Sequence, residues 1–163
     1  MKLLIIGHHI VVKAYQELWV AAATQFPDNQ IEIVYPEVYE QAGLVKAEAL
    51  DPERVPVHPL KAPFGRAGRQ HLHFYLGLDR ALDRIKPDYV YALEESNSLV
   101  TVQIARACAK RKIPYCFWTS LNEVRIYKEM YGRLNIRHSL YHWCQQYIFK
   151  TCAGAPVGHP GGN

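Results

Sequence analysis

Cysteine is scarce. The chain has four in 163 residues (Cys108, Cys116, Cys144 and Cys152), and no two form a Cys-x-x-Cys pair. This excludes a disulfide-stapled scaffold and the common thiolate zinc motifs. All four sit in apolar segments, so we expect buried thiols. Long hydrophobic runs are missing too. Leu3–Ile6 stops at Gly7 and Ile10–Val12 stops at Lys13, far short of the roughly 20 apolar residues of a membrane-spanning helix. Lys2 and the four apolar residues after it are too brief for a secretory leader. A cytoplasmic location is the expectation. No charge sign dominates: 19 basic against 15 acidic residues leave a net +4, no case for nucleic acid as a partner. Ten glycines and ten prolines without a period exclude collagen-like and low-complexity chains. A hydrophobic content of 49% against 21% charged excludes intrinsic disorder. The length suits one domain with its own core.

The phosphate-loop motifs are also absent. Gly7 is followed by His8-His9-Ile10-Val11-Val12, with no second glycine, whereas a dinucleotide site needs Gly-x-Gly-x-x-Gly for close backbone approach to pyrophosphate. No Gly-Lys-Ser/Thr is present for a P-loop. His8-His9 stands where a phosphoacceptor receiver carries acidic residues, and no flavodoxin-type loop of Ser, Thr and Gly is found.

What remains is alternation. Met1–Ile6 reads as a buried strand. Lys13–Phe26 places Ala14, Tyr15, Leu18, Trp19, Ala22, Ala23 and Phe26 at helical spacing, ended by Pro27. Ile31–Tyr35 is a second strand. Pro36–Pro52 reads as a loop with at most one helical turn. Val55–Leu60 is a short strand, set near an edge by Pro56 and Pro59. Residues 61–69 form a basic, glycine-bearing loop. Gln70–Lys86 gives the clearest helix, with His71, Phe74, Tyr75, Leu78, Ala81, Leu82 and Ile85 on one face. Asp88–Leu93 is an apolar strand, and Asn97 or Ser98 caps a helix to about Lys112. Ile113–Trp118 reads as a buried strand and Ile136–Thr151 as a last helix. Ala153–Gly158 starts a further strand.

Strand and helix in turn require crossover connections. The fold class is α/β: a doubly wound, mostly parallel sheet with helices on both faces, Rossmann-like. Ligands of such sheets bind beyond the carboxyl ends of the strands. That singles out Gly7-His8-His9, Glu94-Glu95-Ser96 and Thr119-Ser120-Leu121-Asn122.

Two stretches are more specific. They are Glu94-Glu95-Ser96-Asn97-Ser98-Leu99-Val100-Thr101-Val102-Gln103 and Phe117-Trp118-Thr119-Ser120-Leu121-Asn122, with Tyr127 and Lys128 soon after. They resemble the amino-terminal domain of family 4 glycosyltransferases, retaining enzymes of the GT-B fold. The order of elements is similar along the whole chain. Val157-Gly158-His159-Pro160-Gly161-Gly162 resembles that domain's last strand-to-helix turn. Two departures stand out: Gly7 is alone where many members carry a glycine-rich loop, and the second, donor-binding Rossmann-like domain with its paired glutamates is not in this sequence. Glu40 and Glu48 share that pair's spacing but fall in a loop, so no catalytic meaning is given to them.

The resemblance implies one Rossmann-like domain over 1–163, truncated from a two-domain enzyme and inactive alone. It implies sugar transfer from a nucleotide-sugar donor to a glycan or lipid-linked acceptor, with no cofactor and no metal. Backbone N–H groups at Gly7 and His8 are candidates for facing the donor diphosphate, and His8 or His9 for meeting sugar hydroxyls. Of Glu94 and Glu95, one is expected to point into the cleft and hold hydroxyls, the other away. Ser96, Thr119 and Asn122 complete the substrate-binding set. Arg125 and Lys128, with neighbouring tyrosines, form a patch for phosphates or for the inner face of a membrane. Two other functions stay open: a non-catalytic subunit of a split glycosyltransferase, and a stand-alone nucleotide- or small-molecule-binding module. His138 and His142 stand four apart but lack an evident third ligand, so a packing role is favoured over a metal.

Overall fold

Parity along three apolar strands decides the architecture. In β1 (Lys2–Gly7), Leu4 and Ile6 belong to one core cluster and Ile5 to another. Successive strand residues point to opposite faces, so a strand feeding two cores must lie inside a sheet covered on both sides. β2 (Gln30–Pro36) divides likewise, with Val34 in the first cluster and Ile31, Ile33 and Tyr35 in the second. β6 (Tyr89–Leu93) gives Val90 and Ala92 to the first, while Tyr91 and Leu93 pack on the second.

The computed structural model describes residues 1–40, 44–46, 53–65 and 70–118, together with 140, 143, 144, 146–148, 150 and 151. Five parallel strands form the main sheet in the order β5-β2-β1-β6-β7. β5 is Val57–Leu60 and β7 is Tyr115–Trp118. Helix α1 (Lys13–Gln25) covers one face through Trp19, Val20, Ala22 and Ala23. Helices α2 (Leu78–Ile85) and α3 (Leu99–Arg111) cover the other. The second side of α3, through Val102 and Ala105, meets Cys144 and Ile148, with Leu140 and Tyr147 beside them. This is the doubly wound, Rossmann-like α/β architecture. Among the described residues no helix is long and apolar enough to cross a membrane.

Several expectations need correction. Residues 36–52 do not form a plain loop: β3 (Val38–Glu40) and β4 (Leu44–Lys46) pair antiparallel. Tyr15, Leu18 and Phe26 of the first helix are exposed rather than inward; the helix is rotated so that Gln16 is buried and donates from Nε2 to the Ile10 carbonyl at 2.8 Å. β7 is half-buried, and Cys116 on it is not a core thiol, because among the described residues β7 has a neighbouring strand on one side, β6. Cys108 and Cys144 are buried free thiols, as expected.

The largest departure is at 70–77. Only Gln70–Leu72 makes a single 3₁₀ turn, and the α-helix begins at Leu78. Gly77 sits at φ 84 with open space where a Cβ would lie. This left-handed conformation, easy for glycine, breaks any continuous helix there. The backbone at Tyr75 is held instead by the Gln103 side chain of α3, whose Oε1 accepts from the Tyr75 N–H and whose Nε2 donates to the Tyr75 carbonyl, both at 2.8 Å. One amide side chain thus takes the two bonds that a neighbouring strand would offer.

Candidate functional site

β1 is flanked by β2 on one side and by β6, reached later in the chain, on the other. The strand order therefore reverses between β1 and β6, where open α/β sheets bind ligands. Gly7 pairs with Leu93 across this gap. A Cβ on Gly7 would come 2.9 Å from the Leu93 Cβ, so glycine here permits close strand approach. The chain then makes one 3₁₀ turn, His8–Val11, before α1 starts at Lys13. Gly7 and His8, the candidates for facing a diphosphate, thus lie ahead of α1 with a 3₁₀ turn between.

The turn brings His8 to the first residue after β6. His8 Nδ1 lies 2.6 Å from Glu94 Oε2. The Glu94 side chain is 0% exposed. The Tyr75 hydroxyl donates to its other oxygen at 3.0 Å, and His73 Nε2 stands 3.7 Å from Oε2. Burial alone would raise the Glu94 carboxyl. The His8 and His73 charges, and the hydrogen bond from the His8 ring, outweigh it and hold the group below the usual carboxylate range. Burial first, then the Glu94 charge, pushes Tyr75 and Tyr39 well above the ordinary tyrosine range.

Tyr39 stacks on His8 with ring centroids 4.6 Å apart. Together His8, Tyr39, His73 and Glu94, with His71, Glu95 and Ser98, line a cleft of about 170 Å³. That is below the roughly 300–1,000 Å³ of pockets enclosing a drug-sized ligand, so the cleft suits one ring or a smaller polar group. Glu94 and Glu95 both reach it. The strand ends at Leu93, so the period-2 alternation that would send one carboxylate away no longer applies. They differ in depth: Glu94 is part of the wall and Glu95 is half-buried.

Ser96 is buried, and Ser98 rather than Ser96 lines the cleft. Ser98 takes the N-cap position of α3 without a side-chain cap bond. Its hydroxyl donates back to the Glu95 carbonyl at 2.6 Å, as does Thr101 Oγ1 at 2.6 Å, which fixes the turn carrying both glutamates. His9 lies behind His8, its Nδ1 3.2 Å from His8 Nε2 and its ring near Tyr15 and Trp118. Burial, then the His8 charge, lowers the His9 pKa, against the pull of Glu94 and Glu95.

Gly7, His8, His9, Glu94, Glu95 and Ser96 are thus gathered at one end of the sheet. Thr119, Asn122, Arg125 and Lys128 lie outside the described residues, as does the turn at 157–162. The sequence reading missed Tyr39, His73, Tyr75 and Ser98. The signal for His73 was present in His71-x-His73, but the helical reading of 70–86 turned that pair to different sides. His8, His73 and Glu94 are also a set that could hold a metal ion. No family model, no curated protein and no solved structure matches this chain.

Proposed function

We propose that this chain is the acceptor-side Rossmann-like domain of a retaining GT-B glycosyltransferase. In this reading the β1–β6 cleft takes hydroxyls of a glycan or lipid-linked acceptor. A second Rossmann-like domain, joined or separate, supplies the nucleotide-sugar. The observation that carries the reading is the position of the two glutamates: buried Glu94 at the switch point, with half-buried Glu95 beside it on the cleft. Glu94 accepts from His8 and from the Tyr75 hydroxyl, so it orients the imidazole and the wall. Glu95 is the carboxylate with access to ligand, suited to accept two sugar hydroxyls at once.

The test is nuclear magnetic resonance of the chain with methyl glucoside, uridine diphosphate glucose and guanosine diphosphate mannose. Weak saccharide binding that moves the His8, His71 and His73 rings is expected, with at most weak nucleotide-sugar affinity and no transfer by this chain alone. Glu95→Gln should weaken saccharide binding by about 10- to 100-fold, the worth of a charged hydrogen bond of roughly 1.5–3 kcal/mol. Sub-micromolar nucleotide-sugar binding would favour the stand-alone module instead. Saccharide binding unchanged in Glu95→Gln would remove the glutamate from the site.

A further inference from the structure

We propose that His8, His73 and Glu94 form a site for one divalent transition-metal ion of the zinc class. Their ligand atoms all lie within 4.8 Å of one another. They come from three separate segments: the turn after β1, the strip before α2 and the turn after β6. Two imidazoles and one carboxylate suit zinc, cobalt or nickel better than magnesium or calcium, which favour all-oxygen sets.

Distances decide whether the set can close on an ion. A tetrahedral zinc at 2.0–2.1 Å from each ligand needs ligand atoms about 3.3 Å apart. Here His8 Nδ1 to Glu94 Oε2 is 2.6 Å and His73 Nε2 to the same oxygen is 3.7 Å. The first pair must open and the second close by less than 1 Å, and the two imidazole nitrogens, which lie within 4.8 Å of each other, must close by at most about 1.5 Å.

The groups behind these ligands are those that orient metal-binding residues. The Tyr75 hydroxyl holds Glu94 Oε1, and His9 Nδ1 meets the far nitrogen of His8. The three ligands also line the 170 Å³ cleft, so the coordination position they leave opens onto space for water or a substrate oxygen.

The molecule supplies its own control. His58 Nε2 lies 2.7 Å from Glu32 Oε2, but the next charged groups there are Lys2 and Arg84, both cations that oppose a metal. The inference stands apart from the transferase reading, because it needs only these three side chains.

The experiment is calorimetric titration of the chelator-treated chain with zinc alone, repeated with cobalt while recording its visible spectrum. One equivalent should bind, with the strong visible absorption of four-coordinate cobalt. His8→Gln and His73→Gln should each weaken binding by more than the roughly 10- to 100-fold that loss of an outer partner costs. His58→Gln should leave it unchanged. Circular dichroism checks that each variant folds. Where one does not, the wild-type imidazole resonances decide: zinc must move His8 and His73 and spare His58. Binding that survives both cleft variants, that is lost in His58→Gln, or that leaves the His8 and His73 resonances in place overturns the proposal.

Discussion

Two histidine–glutamate pairs of nearly equal length serve different ends in this fold. His8–Glu94 spans 2.6 Å and His58–Glu32 spans 2.7 Å. The second joins neighbouring strands β2 and β5, with Lys2 at 3.4 Å from Glu32 and Arg84 at 3.2 Å from His58. Cations surround it, and each partner keeps some exposure, 18% and 14%. The first lies where the strand order reverses, with a second histidine, two tyrosines and a cleft around a fully buried carboxylate. The contact is the same; the neighbours make one a surface clasp and the other a site.

The sharpest way to break this comparison is to neutralise each glutamate. Glu94→Gln should cost about 3–5 kcal/mol, the usual result of stranding a buried charged partner. Glu32→Gln should cost less, about 1–2 kcal/mol, because this half-buried pair keeps some contact with water. Urea unfolding of both variants measures this, and equal losses would mean that the surroundings do not matter.

Acid sharpens it next. The folded protein holds Glu94 below its usual range, so the unfolded chain takes up the proton first. The stabilisation from Glu94 is complete above an ordinary carboxylate value of about 4.3 and fades as pH falls below it. Wild type and Glu32→Gln should both lose stability steeply there, while Glu94→Gln should show a shallower fall. Parallel curves for all three would place the acid sensitivity elsewhere.

Removing only the Tyr75 donor asks how much of the difference comes from the wall. Tyr75→Phe deletes one hydrogen bond to a charged acceptor and should cost about 1.5–3 kcal/mol. A loss near zero would show that the histidines suffice.

The smallest effect belongs to His9, at the back of the pair. Its pKa is lowered, so the unfolded chain is protonated first as pH drops below about 6.5. Wild type should therefore lose a little stability between neutrality and the carboxylate range, and His9→Asn should not. Melting temperatures across that interval measure it, and identical slopes would remove His9 from the network.

How much of this was legible follows from what each residue answers to. Strands β1, β2 and β6 were readable because their apolar residues feed two cores, and β5 because Pro56 and Pro59 suit an edge. His8 and Glu94 were readable as residues just after strands. The cleft's other wall was not. Positions 70–86 carry true helical spacing, yet Gly77 and a bond pair from Gln103, 28 residues away, override it for the first half. Tyr39 was hidden because a three-residue strand closed by pairing with β4 leaves little periodicity to read. On α1 the apolar residues outnumber the places the sheet can cover, and spacing alone did not say which face wins.

The two-pronged grip of Gln103 on Tyr75 also has a kinetic meaning. The inner strands are held by backbone ladders on both sides, whereas the Tyr75 backbone is held by the side-chain amide of Gln103. Exchange of the Tyr75 amide hydrogen thus gauges that one contact between the cleft wall and α3. A ligand spanning that wall and Glu94 would slow exchange at Tyr75 and leave Ile5 or Val90 untouched. The Tyr75 amide therefore reports occupancy of the cleft, whatever the occupant.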